Sequence, residues 1–354
     1  MCHKRSVARE ADGKLRRVMQ LTLVVPDLLR PAGAQDAEVR PPALEILLAR
    51  GRRSDLAALG MEAWLCQAFE VERQRDWPVA PLTAALDGLD PAPGYWLRCD
   101  PVHFRVERAQ LRIVDATCFP LAADEARALV AALNAHFGTD GLSFFAPQPA
   151  RWYVKLDCAS GPATHALPDV AGRDVDPHLP GGDGSLYWHR ALNEIQMLLH
   201  DHPVNQAREA RGEPAINSVW PWGGGVKPRV AGRPFSRVWS DDPLALALAT
   251  ASGASALPLP ATAAVLPGDE GDRGLAVLPQ LRAVARYGDA ERWRAALDAL
   301  ERDWFAPLLD ALRKRRLAGL ALVAPGAESC PRYEIEGGDL WKFWRRARPL
   351  ASHA

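Results

Sequence analysis

SLYWHRALNEIQMLLHDHPVNQAREARGEPAINSVWPWGGG, Ser185 to Gly225, carries a long amphipathic helix, a helix restart at Pro203, an apolar strand and a glycine triplet. Leu192, Ile195, Leu199 and His202 fall at helical spacing on one face, which sets the first helix on a core. Pro203 ends that helix and suits the first turn of the next, with Asp201 or His202 as cap and Gly212 as stop. Asp201, Asn205 and Arg208 are spaced by four and three, so they line up on one face of the second helix. The apolar strand then empties into Gly223, Gly224 and Gly225. In open α/β sheets ligands sit at such strand ends, where glycines let backbone amides approach an anion closely. Taken without its surroundings, WGGG fits a tight turn between two core elements equally well.

Upstream, LTLVVPDLL (Leu21 to Leu29) is a continuous apolar run of the kind found in a strand covered on both faces, and it places Asp27 at the strand's carboxyl end. An acidic residue there serves either a metal or phosphate site or a turn cap. Helices are expected at PPALEILLARG, at SDLAALGMEAWLCQAFEV with Ser54 as cap, and from Pro78 to Gly88. From Tyr95 to Asp115 the chain alternates apolar and polar residues, as a half-exposed antiparallel sheet does. The helix LAADEARALVAALNAHFG and the strand RWYVKLD follow. Beyond Gly225, FSRVWSD reads as a short strand, DPLALALATASG as a helix, and Ser252 to Gly274 as irregular chain. A helical region is expected from Leu275 to Arg316 with a break near Tyr287 to Asp289, and GLALVAPG as the last buried strand.

The fold class is therefore α/β: a mostly parallel sheet with helices on both faces and a small inserted α+β unit. The expected division is a disordered extension over residues 1–18, a discontinuous core over 19–91 and 181–348, and an insert over 92–180. Met19 is a candidate start, since the segment before it is polar and basic.

Composition narrows the function classes. Lys plus Arg and Asp plus Glu both total 43 in 354 residues, so no global field favours nucleic acid or an anionic membrane. The six cysteines include no C-x-x-C pair and read as reduced, mostly buried thiols. With no apolar signal core and no run near the roughly 20 residues of a membrane helix, the expected location is cytoplasmic, with no membrane partner. His178, His189, His200 and His202 lie near several aspartates, but their spacing matches no familiar zinc pattern. Trp341, Trp344, Arg345, Arg346 and Arg348 interleave aromatic and basic groups; with 12 tryptophans spread along the chain, packing and cation–π pairing are the expected roles and no nucleic-acid partner is expected.

HPVNQAREARGEPAINSVWPWGGG, His202 to Gly225, resembles the H-P-V-N-x-x-R…G-x-P-x-A-N…G-x-G signature of archaeal-type, cofactor-independent (2,3-bisphosphoglycerate-independent) phosphoglycerate mutases. LRIVDATCF resembles that family's strand into D-R-R-A-G-R, and DVDPHLP its D-P-H loop. The whole chain resembles bacterial RpfE-type regulatory proteins more closely still. The resemblance implies an alkaline-phosphatase-like core, two divalent metals on Asp and His ligands, and a Ser or Thr that carries the phosphoryl group. This sequence departs from that pattern. Pro26-Asp27-Leu28 stands where an Asp-Gly pair is expected, Ala324 to Ala327 where an Asp-His pair is expected, and Ala116, Thr117 and Cys118 replace arginines.

These departures imply a catalytically degenerate homologue that acts as a regulatory or phosphometabolite-binding protein. Its expected anion site is His202, Asn205, Arg208, Asn217 and Gly223 to Gly225, with Arg208 supplying the charge-assisted bond; Asp27 is the one catalytic candidate. The expected partners are a phosphorylated small molecule and a regulatory protein, with no cofactor. The alternative is an active mutase or phosphatase holding two divalent metals, Mn or Zn, on relocated ligands such as Asp27, Asp241, Asp242 and the histidines. In a third reading HPVNQAR and WGGG only brace the fold.

Overall fold

The computed structural model describes residues 19–29, 39–57, 60–107, 110–158, 160–266 and 272–353. The expected extension over residues 1–18 lies outside them. In chain order the strands are β1 (Gln20–Val24), β2 (Arg52–Asp55), β3 (Tyr95–Glu107), β4 (Gln110–Asp115), β5 (Leu142–Gln148) and β6 (Arg151–Leu156). They continue with β7 (Ser218–Gly225), β8 (Arg237–Trp239), β9 (Ser255–Leu257), β10 (Arg273–Val277), β11 (Gly319–Val323) and β12 (Pro331–Glu336).

Seven strands form one sheet in the order β2-β12-β11-β1-β10-β8-β9. From β11 to β9 all pairs are parallel, while β12 and β2 add an antiparallel edge. β1 is hydrogen-bonded on both sides, to β10 and β11, which is why its side chains Leu21, Leu23 and Val24 are all buried. Helices Pro42–Arg50 and Ala306–Arg313 pack on one face through Leu44, Leu47, Leu309 and Leu312. Helices Met61–Ala68 and Pro243–Ser252 contribute Leu65, Phe69 at the first helix's end and Leu248 to a second cluster that also holds Val24, Val238 and Leu275. The expected α/β class with a mostly parallel sheet is the one observed.

The second sheet is antiparallel, ordered β4-β3-β6-β5, with β7 also paired to β3. Helix Ala123–Phe137 and helix Ser185–His200 cover it through Leu129, Leu133, Trp188, Leu192, Ile195 and Leu199. Burying each of those large apolar side chains contributes about 1.5–3 kcal/mol, so the helix belongs to the sheet it covers. The expected insert boundary at 180 therefore moves. Helix Ser185–His200, helix Pro203–Ala210 and β7 all belong to the second unit, which extends to Gly225. The glycine triplet lies inside an antiparallel strand, and not beyond the end of a parallel one.

Other differences have local causes. Ser54 lies in the short edge strand β2 and does not cap a helix; the helix begins at Met61, after Gly60 with φ +77°. Leu275 lies in β10, and the helical region starts only at Gln280. Its break is where expected, at Gly288 in the left-handed region (φ +67°). Among the described residues no helix is long and apolar enough to cross a membrane.

Candidate ligand cleft

The residues expected to bind an anion are engaged in holding the second unit together. Asn205 Nδ2 donates to the carbonyls of Leu199 (2.7 Å) and Ile216 (2.9 Å), and its Oδ1 accepts the Ile216 N–H (2.8 Å). It thereby ties the end of helix Ser185–His200 to the chain entering β7. Arg208 is fully buried: it donates to Glu125 Oε2 (2.7 Å) and to the carbonyls of Pro214 (2.8 Å) and Pro120 (3.0 Å), with its guanidinium over the Phe119 ring. The two share a helical face, as their spacing requires, but that face points inward. Asn217 pairs with the backbone of Phe104, accepting from its N–H (2.7 Å) and donating to its carbonyl (2.9 Å). His202 caps helix Pro203–Ala210, its Nδ1 accepting the Val204 N–H (3.2 Å); burial holds its pKa below the ordinary value.

The three glycines are there because of close packing. A Cβ on Gly225 would lie 2.7 Å from Pro78, one on Gly224 2.7 Å from Tyr95 and Leu97, and one on Gly223 2.9 Å from Val79. Gly223 also sits at φ +64°. None of these seven residues lines the cavities described next. The anion site assigned to them from sequence is thus corrected: the Asn205 and Asn217 amides and the Arg208 guanidinium already have protein partners.

Two adjoining cavities of about 350 and 330 Å³ open where the parallel strands end beneath the second unit. They share the walls Met61, Pro168, Arg282 and Arg286. Asp27 lines the first. Its N–H bonds to the Pro325 carbonyl (3.0 Å), holding the end of β1 beside that of β11, at a left-handed φ of 58° that aspartate accepts better than most residues. Gly326, Asp169 and Arg173 complete that lobe. The second lobe runs past Thr117, Asp242 and the pair Arg98–Asp100. Arg98 lies between the Tyr153 and Trp222 rings, 5.5 and 5.1 Å from their centroids, and is held by Asp100 at 2.7 Å. Asp100 also accepts from Trp222 Nε1 (2.8 Å) and the Trp152 N–H (3.1 Å), so both its oxygens are engaged and this wall is held in place.

Three arginines set the charge of the cleft. Arg282 is buried and donates twice to Glu62 (2.7 and 2.6 Å), with Asp169 3.4 Å away. Burial pushes the Glu62 carboxyl up, but the charge and hydrogen bonds of Arg282 outweigh it and hold Glu62 below the ordinary glutamate range. Burial dominates at Asp27, Asp169 and Asp242, all of which are held above the ordinary aspartate value. Arg286 reaches Asp115 Oδ2 through Nη1 (3.1 Å), yet its buried Nε has no hydrogen-bond partner. Burial and the neighbouring Arg282 charge lower its pKa. Among the described residues the Arg173 side chain has neither a hydrogen bond nor an ion pair. Two arginines whose guanidinium groups are not fully engaged by the protein thus line a space of small-ligand size.

Sequence reading missed Glu62, Asp169, Arg173, Arg282 and Arg286. The available signal was the i, i+4 spacing of Arg282 and Arg286 in QLRAVAR directly after a short apolar run, which becomes legible once that run is read as a strand.

A two-metal centre does not fit this donor set. Asp242 Oδ1 caps helix Pro243–Ser252 through the Ala245 N–H (3.0 Å), and Asp241 Oδ1 accepts the Leu259 N–H (3.3 Å). Of the histidines, His189 bonds the Pro180 carbonyl (2.9 Å), and His178 packs on His165 with ring centroids 5.1 Å apart. Among the described residues no three His, Cys, Asp or Glu side chains are grouped to hold a metal ion.

Comparison with known proteins places these two regions in different relations to other chains. The family profile of 2,3-bisphosphoglycerate-independent phosphoglycerate mutases matches residues 80–205. That interval covers β3 to β6 and helix Ser185–His200, but contains neither Asp27 nor Arg282. The 2,3-bisphosphoglycerate-independent phosphoglycerate mutase of Methanosarcina barkeri is 31% identical over 155 residues, 42% of this chain and 37% of that one. The Methanosarcina mazei protein of the same name is 26% identical over 208 residues, 54% of this chain and 49% of that one. The chain thus spans less than half the length of these relatives. The solved structure of the PH0037 protein from Pyrococcus horikoshii superposes with a TM-score of 0.53 at 14% identity, covering 96% of this chain and 93% of that one. That likeness is one of fold, and accords with the alkaline-phosphatase-like α/β class. Over its second unit the chain is phosphoglycerate-mutase-like.

Proposed function

We propose that this chain is a phosphoglycerate-mutase-like protein without phosphoryl-transfer activity, a cytoplasmic regulatory protein that binds a phosphorylated small molecule in the cleft at the strand ends. The observation that carries the reading is the unequal state of the three arginines. Arg282 is locked between Glu62 and Asp169, so a fixed organic cation neutralises the carboxylates that a metal would need. Arg286 and Arg173, by contrast, line the cavity without being locked: Arg286 makes one side-chain hydrogen bond, to Asp115, and the Arg173 side chain makes none among the described residues.

A phosphate oxygen would bond the Arg286 guanidinium at the cavity wall, where only Nη1 is used by the protein, and charge-assisted bonds of this kind contribute about 1.5–3 kcal/mol each. Arg173, from the loop ahead of helix Ser185–His200, would hold a second oxygen. The rest of the ligand would extend toward Thr117 in the second lobe. The likeness to named phosphoglycerate mutases supports 3-phosphoglycerate as the first probe.

Thermal melting in EDTA tests this directly. With 3-phosphoglycerate at about a hundred times its Kd, the native state gains about 2.7 kcal/mol and the melting temperature rises. A parallel assay with Mn²⁺ should show no interconversion of 3- and 2-phosphoglycerate. Turnover with Mn²⁺ would establish the active-enzyme reading instead.

A further inference from the structure

Outside the cleft's walls, the segment WKFWRRAR, Trp341 to Arg348, carries the most exposed aromatic side chains of the described residues. Trp341 and Phe343 are each 77% exposed and Trp344 65%, with the last two rings edge-to-face at 5.4 Å. Single exposed apolar residues need no explanation, but three bulky rings within four positions form a patch. The same segment holds Lys342, Arg345, Arg346 and Arg348 and no acidic residue. Lys342 is paired with Asp339 (2.5 Å), while among the described residues Arg346 and Arg348 have no side-chain partner.

The segment has a fixed shape. Asp339 Oδ2 accepts the Glu336 N–H (2.9 Å), Arg345 Nη1 reaches the Gly51 carbonyl (3.2 Å), and Leu350 is buried just beyond. It is a knob of indole, phenyl and guanidinium groups anchored at both ends.

We propose that this knob docks the protein on an anionic lipid surface, with the rings among the headgroups and Arg346 and Arg348 on lipid phosphates. Tryptophan is suited to the bilayer interface because one end of its ring is apolar and the other polar. Adjacent cations supply the second signal that a surface contact requires. A single-stranded nucleic acid needs a groove that tracks its backbone between stacking platforms, whereas these side chains stand out from the surface. A second copy of the chain, packed about a two-fold axis, would bring four cations against four. The expectation of no membrane partner rested on the balanced net charge and on the lack of a spanning run; a surface contact through a local basic patch needs neither a net charge nor a span.

Co-sedimentation of the full chain with vesicles tests the assignment. Binding is expected to vesicles of phosphatidylcholine with phosphatidylglycerol, to weaken at high salt, and to be absent with phosphatidylcholine alone. Arg346→Gln with Arg348→Gln should reduce the partition coefficient roughly thirtyfold. Trp341→Ser with Phe343→Ser and Trp344→Ser should abolish binding. Both variants should melt with the wild type, because the altered side chains are exposed. Failure of the wild type to bind anionic vesicles, equal binding to both vesicle types, or undiminished binding by either variant overturns the proposal. So does retention by a single-stranded oligonucleotide, or a dimer lost in the aromatic variant, in place of vesicle binding. The cleft plays no part in these readouts.

Discussion

Arg208 and Arg286 are both largely enclosed arginines facing carboxylates, yet they sit in opposite situations. Arg208 has protein acceptors for Nε, Nη1 and Nη2, from Pro214, Glu125 and Pro120. Arg286 has one bond to Asp115 and an idle Nε beside a cavity. A buried polar group whose bonds are complete holds a fold together, and one whose bonds are incomplete is poised for something that arrives later. The difference separates the sequence motif from the site: the most recognisable stretch is a brace, and the groups with capacity to bind lie on elements that carry no motif.

The largest effect should come from breaking the brace. Arg208→Met leaves the Pro214 and Pro120 carbonyls without their donor and Glu125 with Arg211 as its remaining cation, and urea unfolding should show a loss of about 3–5 kcal/mol. Its response to 3-phosphoglycerate, measured on whatever remains folded, should persist. Loss of the response with full stability would reverse the roles of the two arginines.

Arg282→Met should cost a similar or slightly smaller amount, since Glu62 and Asp169 lose a buried cation; Asp169 is the more exposed of the two and can rehydrate. Even without that guanidinium no three carboxylates among the described residues are grouped to hold a metal ion, so Mn²⁺ should leave the melting temperatures of variant and wild type alike unchanged. Equal Mn²⁺ stabilisation of both would show that the native cleft already accepts the ion.

A smaller effect, opposite in sign, is expected at Asp27. Burial holds this carboxyl above its ordinary value, so the folded state binds the proton more tightly than the unfolded chain. That contribution is complete below the unfolded value, about 3.9, and is lost as pH rises through the folded value. Asp27→Asn has no proton to lose and accepts the left-handed backbone. It should therefore melt higher than wild type at neutral pH, with the gain vanishing in acid. A lower melting temperature at neutral pH would mean that Arg282 and Arg286 favour the ionised form.

Much of the architecture was legible because long apolar runs can only be buried. β1, β8, β11 and the helices around them follow from such runs, and so does the break at Gly288. β2 was not legible: Arg52, Arg53, Ser54 and Asp55 are all exposed, and only pairing with β12 at the sheet edge makes them a strand. β10 reads from sequence as a helix start because five residues preceding a helix cannot show which period they follow.

The candidate site was half legible. Asp27 was found from its place at a strand end, and it does line the cleft. The spacing of Asn205 and Arg208 was read correctly as one helical face; which way the face points depends on acceptors at Leu199, Pro214 and Ile216 that come together only in the fold. Glu62 and Arg282 are 220 residues apart in sequence, and no local pattern announces that pair.

Calorimetric titration of 3-phosphoglycerate in EDTA, into the wild type and into the Arg173→Gln, Arg286→Gln double variant, tests the central claim most directly. The account predicts metal-independent binding to the wild type and at least tenfold weaker binding to the variant, titrated at a temperature where it is fully folded because Arg286→Gln also takes the cation from buried Asp115 and lowers stability in urea. Binding that requires Mn²⁺, or equal affinity in the two proteins, would contradict it.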